Sequence, residues 1–574
     1  MQDLNSLLAT LNGILWHDSV LFVVLGTGIL FTIWSGFGQY QALTHGVQVV
    51  RGVYDDPKDP GAINHFQALS AALSATVGLG NIGGVALAIA LGGPGAVFWM
   101  WVVGFVGMAI KLTEVTLSML YRNTDDPDNP HGGPMWVASK GIAMMNPRLA
   151  FAGKLIGGIF CCTLLVSTIT GGNMFQAWNV GDITEEYFGV PSIAVGIVMS
   201  VLVAAVIIGG IKRIGAVAGR LVPFMISLYL LSAIYVLVMN YAAVPEMFAT
   251  IFTAAFSAQE AQGAFIGGTV GYAFLFGMKR ALFSNEAGQG SSPIAHSAAK
   301  TDEPVREGIV AGMEPFIDTL VVCTLTALVI LVTGVWSRPA EAAYEIHPEI
   351  VPVEIHRWSI ETQPAPQPAD RPWRTDEAVY TIVRSHHNER TGNNLHRIDG
   401  NVRMIDGEPH IEWLALDSVE KPRMTDGGVY ATYIGATLTA KAFDTVTPGL
   451  GKWMVTLAAW LFAISTMISW SYYGEQGMIY LLGERSVLPY KLVYCALIIV
   501  ATTGFIETNA QLDNLTGIGT GVMLFANIPI MWLFGRQAMR AYKEYIGRLK
   551  DGRMGPDHPR PSLEDLISGR DVRP

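Results

Sequence analysis

A chain of 574 residues that is 51% hydrophobic and only 15% charged carries more apolar length than one soluble core can hide. Its apolar runs recur at bilayer-spanning length, and a hydrocarbon layer asks roughly 20 apolar residues of each helix. A formal net charge of -10 without a clustered basic face argues against nucleic acid as a partner.

Eleven crossings are predicted, at 19–37, 66–90, 95–120, 153–178, 191–210, 217–239, 249–276, 315–335, 450–475, 489–508 and 513–535. The first follows MQDLNSLLATLNGILWHDS, which lacks the basic start and small-residue cleavage site of a secretory signal, so it is expected to stay as a helix. With the N-terminus outside, the inner loops hold Arg51 and Lys58, then Arg122, Lys140 and Arg148, then Lys212 and Arg213, then Lys279, Arg280, Lys300 and Arg306, then Arg485. The outer loops carry Asp182, Glu185, Glu186, Glu246 and Glu507 instead. That alternation predicts N-out, C-in, the positive side facing the cytoplasm.

Inside the second crossing, AALSATVGLGNIGG (71–84) sets four glycines, Thr76 and Asn81 where an unbroken helix is expected. An opened helix exposes carbonyls that ligate a cation and amides that receive a carboxylate, provided both face a protein cavity. Gly78, Gly80, Gly83 and Gly84 are also compatible with close helix packing alone. In the fourth crossing TITGGNMFQAW supplies Thr168, Thr170, Gly171, Gly172, Asn173 and Gln176. The segment 257–274, with Gln259, Glu260, Gln262, Gly263, Gly267, Gly268 and Gly271, reads as a second broken helix, and paired breaks in two halves point to an ion-coupled transporter. NEAGQGSSPIAH (285–296) follows; its Ser291, Ser292 and His296 lack a strand-to-turn nucleophile elbow, so an inner gate or packing loop is expected rather than catalysis.

Composition changes abruptly after Trp336. Residues 338–426 contain 10 Lys or Arg, 16 Asp or Glu and 6 of the 12 histidines, too polar for hydrocarbon. Short alternating runs such as VYTIVRS and HRIDGNVRMIDGEPHIEWLALD predict a small β-rich extracytoplasmic insert over 336–440. His386, His387, His396 and His410 match no metal spacing and read as surface histidines. The ninth crossing, FAISTMISWSYYGEQG, sets Ser465, Thr466 and Ser469 close together on a helix, before Trp470 and Glu475; the hydroxyls suit an oxygen shell around a hard cation, or else bond back to the preceding turn. Cys161, Cys162, Cys323 and Cys495 fall in predicted helices and read as small buried residues. The proline- and glycine-rich end reads as a flexible cytoplasmic tail. The division expected is 1–335 and 441–540 as a membrane core, 336–440 as the insert and 541–574 as the tail.

SATVGLGNIGGVALAIALGGPGAVFWMW, HGGPMW, TGGNMFQAW, KRALFSNEAGQGSSPIAHSAA, CTLTALVILVTG and FAISTMISWSYYGEQ together resemble the alanine or glycine:cation symporter family, bacterial and archaeal sodium:amino-acid carriers, over roughly 15–335 and 430–540. The resemblance implies an all-α polytopic fold of the leucine-transporter type, a five-plus-five inverted repeat with one extra N-terminal helix, in the cell inner membrane. It implies no enzyme activity and no cofactor, with sodium as coupling ion and a small neutral amino acid, alanine or glycine, as substrate. Substrate contacts would fall at Gly78, Asn81, Gly171, Gln176, Thr466 and Trp470. Sodium would be held by Thr76, Gly80, Ser465, Thr466 and Ser469. The long insert departs from the compact family pattern and is where a periplasmic partner would bind. Composition by itself also suits a cation channel or an amino-acid-sensing transceptor, since glycine-broken helices surround fixed ion paths too.

Overall fold

The computed structural model describes residues 2–369, 371–433, 435–504, 509–554 and 560–569, which leaves Glu507 and parts of the C-terminal tail outside the described residues. Among the described residues seven helices are long and apolar enough to cross a bilayer: Thr10–Trp34, Gly95–Tyr121, Pro147–Phe188, Gly210–Met239, Pro304–Val332, Leu450–Leu482 and Asn514–Lys550. The pair His65–Thr76 and Gly80–Gly92, bent by 53°, makes an eighth if counted as one span. The chain is therefore an all-α polytopic membrane protein, with at most eight such spans rather than eleven.

Length explains the difference. The stretches expected to cross at 191–210 and 489–508 fold as Ser192–Ile207 and Val487–Ala501, helices of 16 and 15 residues. At about 1.5 Å per residue each falls short of a hydrocarbon layer about 30 Å thick. The stretch at 249–276 is not one helix. Val244–Ala254 stops, the chain continues to Thr269 without helix, and Val270–Asn285 then starts with the Thr269 hydroxyl accepting the Tyr272 amide at 3.2 Å. Glycines that read as a broken span, Gly263 (φ +54°) and Gly267 (φ +91°), serve turns in this connection.

Burial separates the spans. Gly95–Tyr121 and Leu450–Leu482 are mostly buried and form the centre, whereas Gly210–Met239 shows Phe224, Leu231 and Val238 on an exposed apolar face suited to lipid. Cys161 and Cys323 are buried as expected, but Cys162, one residue round the helix from Cys161, is exposed.

Between Pro304–Val332 and Leu450–Leu482 the chain builds eight strands: β1 (Ala342–Ala343), β2 (Ile350–Glu354), β3 (Arg357–Ile360), β4 (Ala378–Asn388), β5 (Asn393–Ile405), β6 (Glu408–Trp413), β7 (Leu416–Asp417) and β8 (Arg423–Ala431). They form a five-stranded antiparallel sheet, β1-β8-β4-β5-β6, and a three-stranded one, β2-β3-β7. Val379, Val383, Ile398, Val402, Ile411 and Trp413 give the insert an apolar core separate from the helices. The helix Ala436–Asp444 straddles the expected boundary at 440 and packs back onto the spans, Thr439 Oγ1 donating to Ile82 O at 3.1 Å. The rings of His386 and His396 lie 4.5 Å apart at a tilt of 40°, and no metal-ligating cluster occurs among the described residues.

The C-terminal end is not simply loose. Asn509–Lys550 runs through the boundary expected at 540. Within the tail Ser562 and Asp565 cap a short helix, Leu563–Ser568, whose Leu566 is buried while Arg540 donates to its carbonyl at 3.1 Å.

Candidate functional site

The first interruption is built by local chemistry. Asn64 and Gln67 form a capping box that starts His65–Thr76, and the helix ends where Val77 turns to an extended conformation. Asn81 restores part of the lost bonding: its Oδ1 accepts the Gly78 amide at 2.8 Å, and its Nδ2 donates to Ser284 Oγ at 2.9 Å and Asp318 Oδ1 at 2.5 Å. The chain resumes with a wide π turn at Gly80–Gly84.

A second interruption faces it, but not at 257–274. Val270–Asn285 ends at Glu286 in the left-handed region (φ +54°), Gly288 (φ +85°) and Gly290 (φ +80°) carry the chain round, and Ser292–His296 follows. Asn285 Oδ1 accepts the Ala287 amide at 3.0 Å and Gln289 Nε2 donates to Leu282 O at 3.0 Å, so side chains again replace helix bonds. NEAGQGSSPIAH thus contains the break instead of following it.

Between the two interruptions lies a cavity of about 110 Å³. Thr76, Gly78 and Gly80 line it from the first break, Gly171 and Gln176 from a π turn at Thr170–Met174, and Thr466 and Trp470 from Leu450–Leu482. Glycine is required at the π turn by close approach: a Cβ on Gly171 would lie 2.4 Å from Thr516 Cγ2, and one on Gly172 2.4 Å from Trp470 Cβ. Gln176 Nε2 donates to Gly171 O at 3.0 Å, while its Oε1 is buried without a partner. Asn81 is fully buried yet absent from the lining; its amide is spent on Asp318 and Ser284 behind the cavity. Asn173 likewise turns away and donates to Tyr494 O at 2.7 Å.

The residues expected to hold sodium divide. Ser465 Oγ donates to Ser74 O at 3.2 Å and Phe462 O at 3.0 Å, and Ser74 Oγ returns a bond to Ser465 O at 2.7 Å. This hydroxyl stitches two helices and also bonds back to the preceding turn. Thr76 Oγ1 makes only long bonds, 3.4 and 3.5 Å, to Ala72 O and Leu73 O. Thr466 Oγ1 and Ser469 Oγ are buried with no hydrogen-bond partner within the protein, and buried polar atoms of this kind ask for one. Thr466 Oγ1 also faces the backbone of Gly78, 3.1 Å from where a Cβ would sit. These orphaned oxygens beside an opened helix fit a hard cation.

Reading the sequence did not single out Arg280, Glu286, Gln289, Thr516 and Thr520 as contacts, although all line the cavity. It also missed a buried ionic network next to them. Lys111 Nζ stands 3.6 Å from Glu114 and 3.5 Å from Glu314; His296 bridges Glu314 at 2.6 Å and Glu307 at 2.5 Å; Glu307 also pairs with His65. The available signal was charge within apolar runs, as in KLTEV, since ionisable groups at membrane depth mark functional interiors. Arg122, just beyond this region, donates to Ser297 O at 3.1 Å and Ala299 O at 2.9 Å; burial pushes its guanidinium down to about 10. A larger groove of about 550 Å³ near Ile14 and Trp532 has an almost wholly apolar wall and offers a small polar solute little to bind.

Comparison with known proteins adds to this geometry. The model of the sodium:alanine symporter family matches residues 1–361 and 424–558. The sodium/alanine symporter AgcS of Methanococcus maripaludis is 34% identical over 92% of this chain and 94% of that protein. A putative sodium/proton-dependent alanine carrier protein, YrbD of Bacillus subtilis, is 29% identical over 95% of this chain and 93% of its own length. Among solved structures, MhsT in complex with L-phenylalanine aligns with a TM-score of 0.46 and 12% identity, covering 88% of this chain and 95% of that one, a likeness too low to fix the helix arrangement.

Proposed function

The chain belongs to the sodium:alanine symporter family, and from that premise we propose the particulars of its work: import of alanine or glycine through the cavity between the two interrupted helices. It is a transport protein that couples sodium to symport of a small amino acid by alternating access. The observation that carries the substrate reading is the cavity itself. At about 110 Å³, walled by Trp470 on one side and glycine backbone on the other, it suits a methyl-sized side chain.

In this reading the carboxylate meets the helix start at Gly80, beside Gly78 whose own amide is held by Asn81, where the positive end of a helix dipole favours an anion. Gln176, Gly171, Thr466 and Trp470 close round the rest of the molecule. Asn81 acts indirectly, by fixing the shape of the first break. Sodium takes Thr466 and Ser469 with oxygens of the opened segment from Thr76 to Gly80, and Ser465 keeps that segment in register. Sodium and substrate then favour each other's binding through a shared site, which is linkage.

The finer architecture proposed is a five-plus-five inverted repeat after one N-terminal helix, with N-out, C-in orientation in the cell inner membrane. Support comes from element order: an interrupted helix begins each row, the fourth member of each is short (Ser192–Ile207, Val487–Ala501), and the fifth is long (Gly210–Met239, Asn509–Lys550). The test is uptake into proteoliposomes. Alanine and glycine are expected to accumulate against their gradients with sodium outside and not with choline; conductance without accumulation would instead favour a channel, and binding with neither a transceptor.

A further inference from the structure

Glu286, which lines the cavity, and Glu114, Glu307 and Glu314 of the neighbouring ionic network are all buried. Three have basic partners, Lys111 for Glu114 and Glu314, His296 for Glu314 and Glu307, and His65 for Glu307. No salt bridge reaches Glu286 among the described residues, although it is only 4% exposed. Lys111 acts on it only from beyond salt-bridge distance, so this carboxylate is compensated less closely than its neighbours, a costly arrangement in a low-dielectric interior that at membrane depth points to a ligand.

Position and conformation agree. Among the described residues Glu286 is the only acidic one in the cavity lining. Its Oε2 accepts the Ser291 hydroxyl at 2.5 Å, which fixes the carboxylate. The residue caps Val270–Asn285 at φ +54°, a left-handed conformation suited to Gly, Asn or Asp and unfavourable for a longer side chain. Backbone geometry therefore did not select glutamate here; its reach did, and such strain collects at ligand sites. The C-terminal end of a 16-residue helix adds partial negative charge at the same spot.

We infer that Glu286 receives the ammonium group of the substrate, so that it selects amino acids against carboxylic acids of the same size. This rests on the transport reading above but concerns a residue and a selectivity beyond it. The carboxylate of the substrate then lies toward Gly80 and its ammonium toward Glu286, which orients the side chain across the remaining wall.

The test uses the purified full chain and two readouts. In detergent with sodium, alanine is expected to raise the melting temperature of the wild type and propionate is not. Glu286→Gln should weaken alanine binding at least tenfold and bring alanine and propionate to similar affinity. Glu286→Asp, which suits the left-handed conformation and keeps the charge, should fold and show an intermediate loss because the carboxylate is withdrawn. Unchanged alanine affinity in either variant overturns the inference, as does an altered sodium requirement with alanine still preferred over propionate to the wild-type extent. Proteoliposome uptake by the wild type separates the two claims: if it fails while alanine binding still depends on Glu286, the transport reading falls and the ammonium assignment stands.

Discussion

Thr466 shows most directly how one side chain carries a physical consequence. Its hydroxyl is buried, has no hydrogen-bond partner within the protein and is aimed at the opened helix, so a cation bound there would give this oxygen a partner. Thr466→Ala is expected to raise the sodium concentration for half-maximal uptake by about 5- to 150-fold, the equivalent of about 1–3 kcal/mol for a lost oxygen contact. Thr326→Ala is the control, because that hydroxyl is already engaged with Tyr229 at 2.7 Å and Val322 O at 3.1 Å; its sodium dependence should match the wild type. Trp470 offers a second residue-scale test. A methyl added at Gly172 would meet Trp470 Cβ at 2.4 Å, so Gly172→Ala should push the indole into the cavity and lower alanine uptake at least tenfold in a protein that still runs as a single species. In the wild type, competition should be graded over glycine, alanine and serine and fall sharply for leucine, since each added methylene must find room, at about 1–3 kcal/mol per step. Leucine competing as well as alanine would contradict the small cavity.

At the scale of elements, the two interruptions are polar constructions held by amide side chains. Asn81 bonds the Gly78 amide, Ser284 and Asp318 at once, so it joins the first break, the end of Val270–Asn285 and the π turn Phe316–Cys323. Asn81→Ala should leave Asp318 short of a donor and the Gly78 amide without its partner, at about 1–3 kcal/mol for each buried group abandoned. The expected result is a lower melting temperature together with loss of sodium-protected stability; an unchanged melting curve would show the break held by packing alone. Glycine clustering made the first break legible. It misled at 257–274 because glycine signals positive φ without saying at what depth the turn lies, and the residues that mark depth, Glu286 and Asp318, are distant in sequence from one another.

At the scale of the whole molecule the insert is an appended body with its own core, and the family model passes over residues 362–423 within it. Its ends meet: Ala342 pairs with Val429 and Ala343 with Gly428. Closing that gap with a short Gly/Ser linker should cost little chain entropy. Replacing residues 345–427 in this way is therefore expected to leave sodium-driven uptake measurable. The insert is nevertheless tied to the transport core. Tyr380 Oη donates to Ala264 O at 2.9 Å, Asn393 Nδ2 to Ile266 O at 2.8 Å, and Arg374 meets Glu186 at 2.8 Å at the end of the helix that carries Gln176. Its removal should loosen the 255–269 connection, read as faster proteolysis there, even where uptake survives. Complete loss of binding and uptake in a monodisperse deletion protein would overturn the division between core and insert.

What the sequence by itself determined were the properties written in short windows. Bilayer thickness fixes the length of an apolar run, a polar block cannot enter hydrocarbon, and alternating residues between turns make strands, so the membrane class, the insert and the first broken helix could all be read locally. The motifs of the transport core carried the family. Tertiary structure decided the rest, because side-chain direction and partner are properties of packing. It turned Asn81 away from the cavity toward Asp318, spent Ser465 on Ser74, and left Thr466 and Ser469 bare. It also moved the second interruption to Glu286 and set Lys111, His296 and His65 among the buried glutamates, with no salt bridge to Glu286 itself among the described residues. Residues about 200 positions apart meet there, and no pattern along the chain encodes their meeting, because it depends on how whole helices pack in a medium where every buried polar group must find a partner.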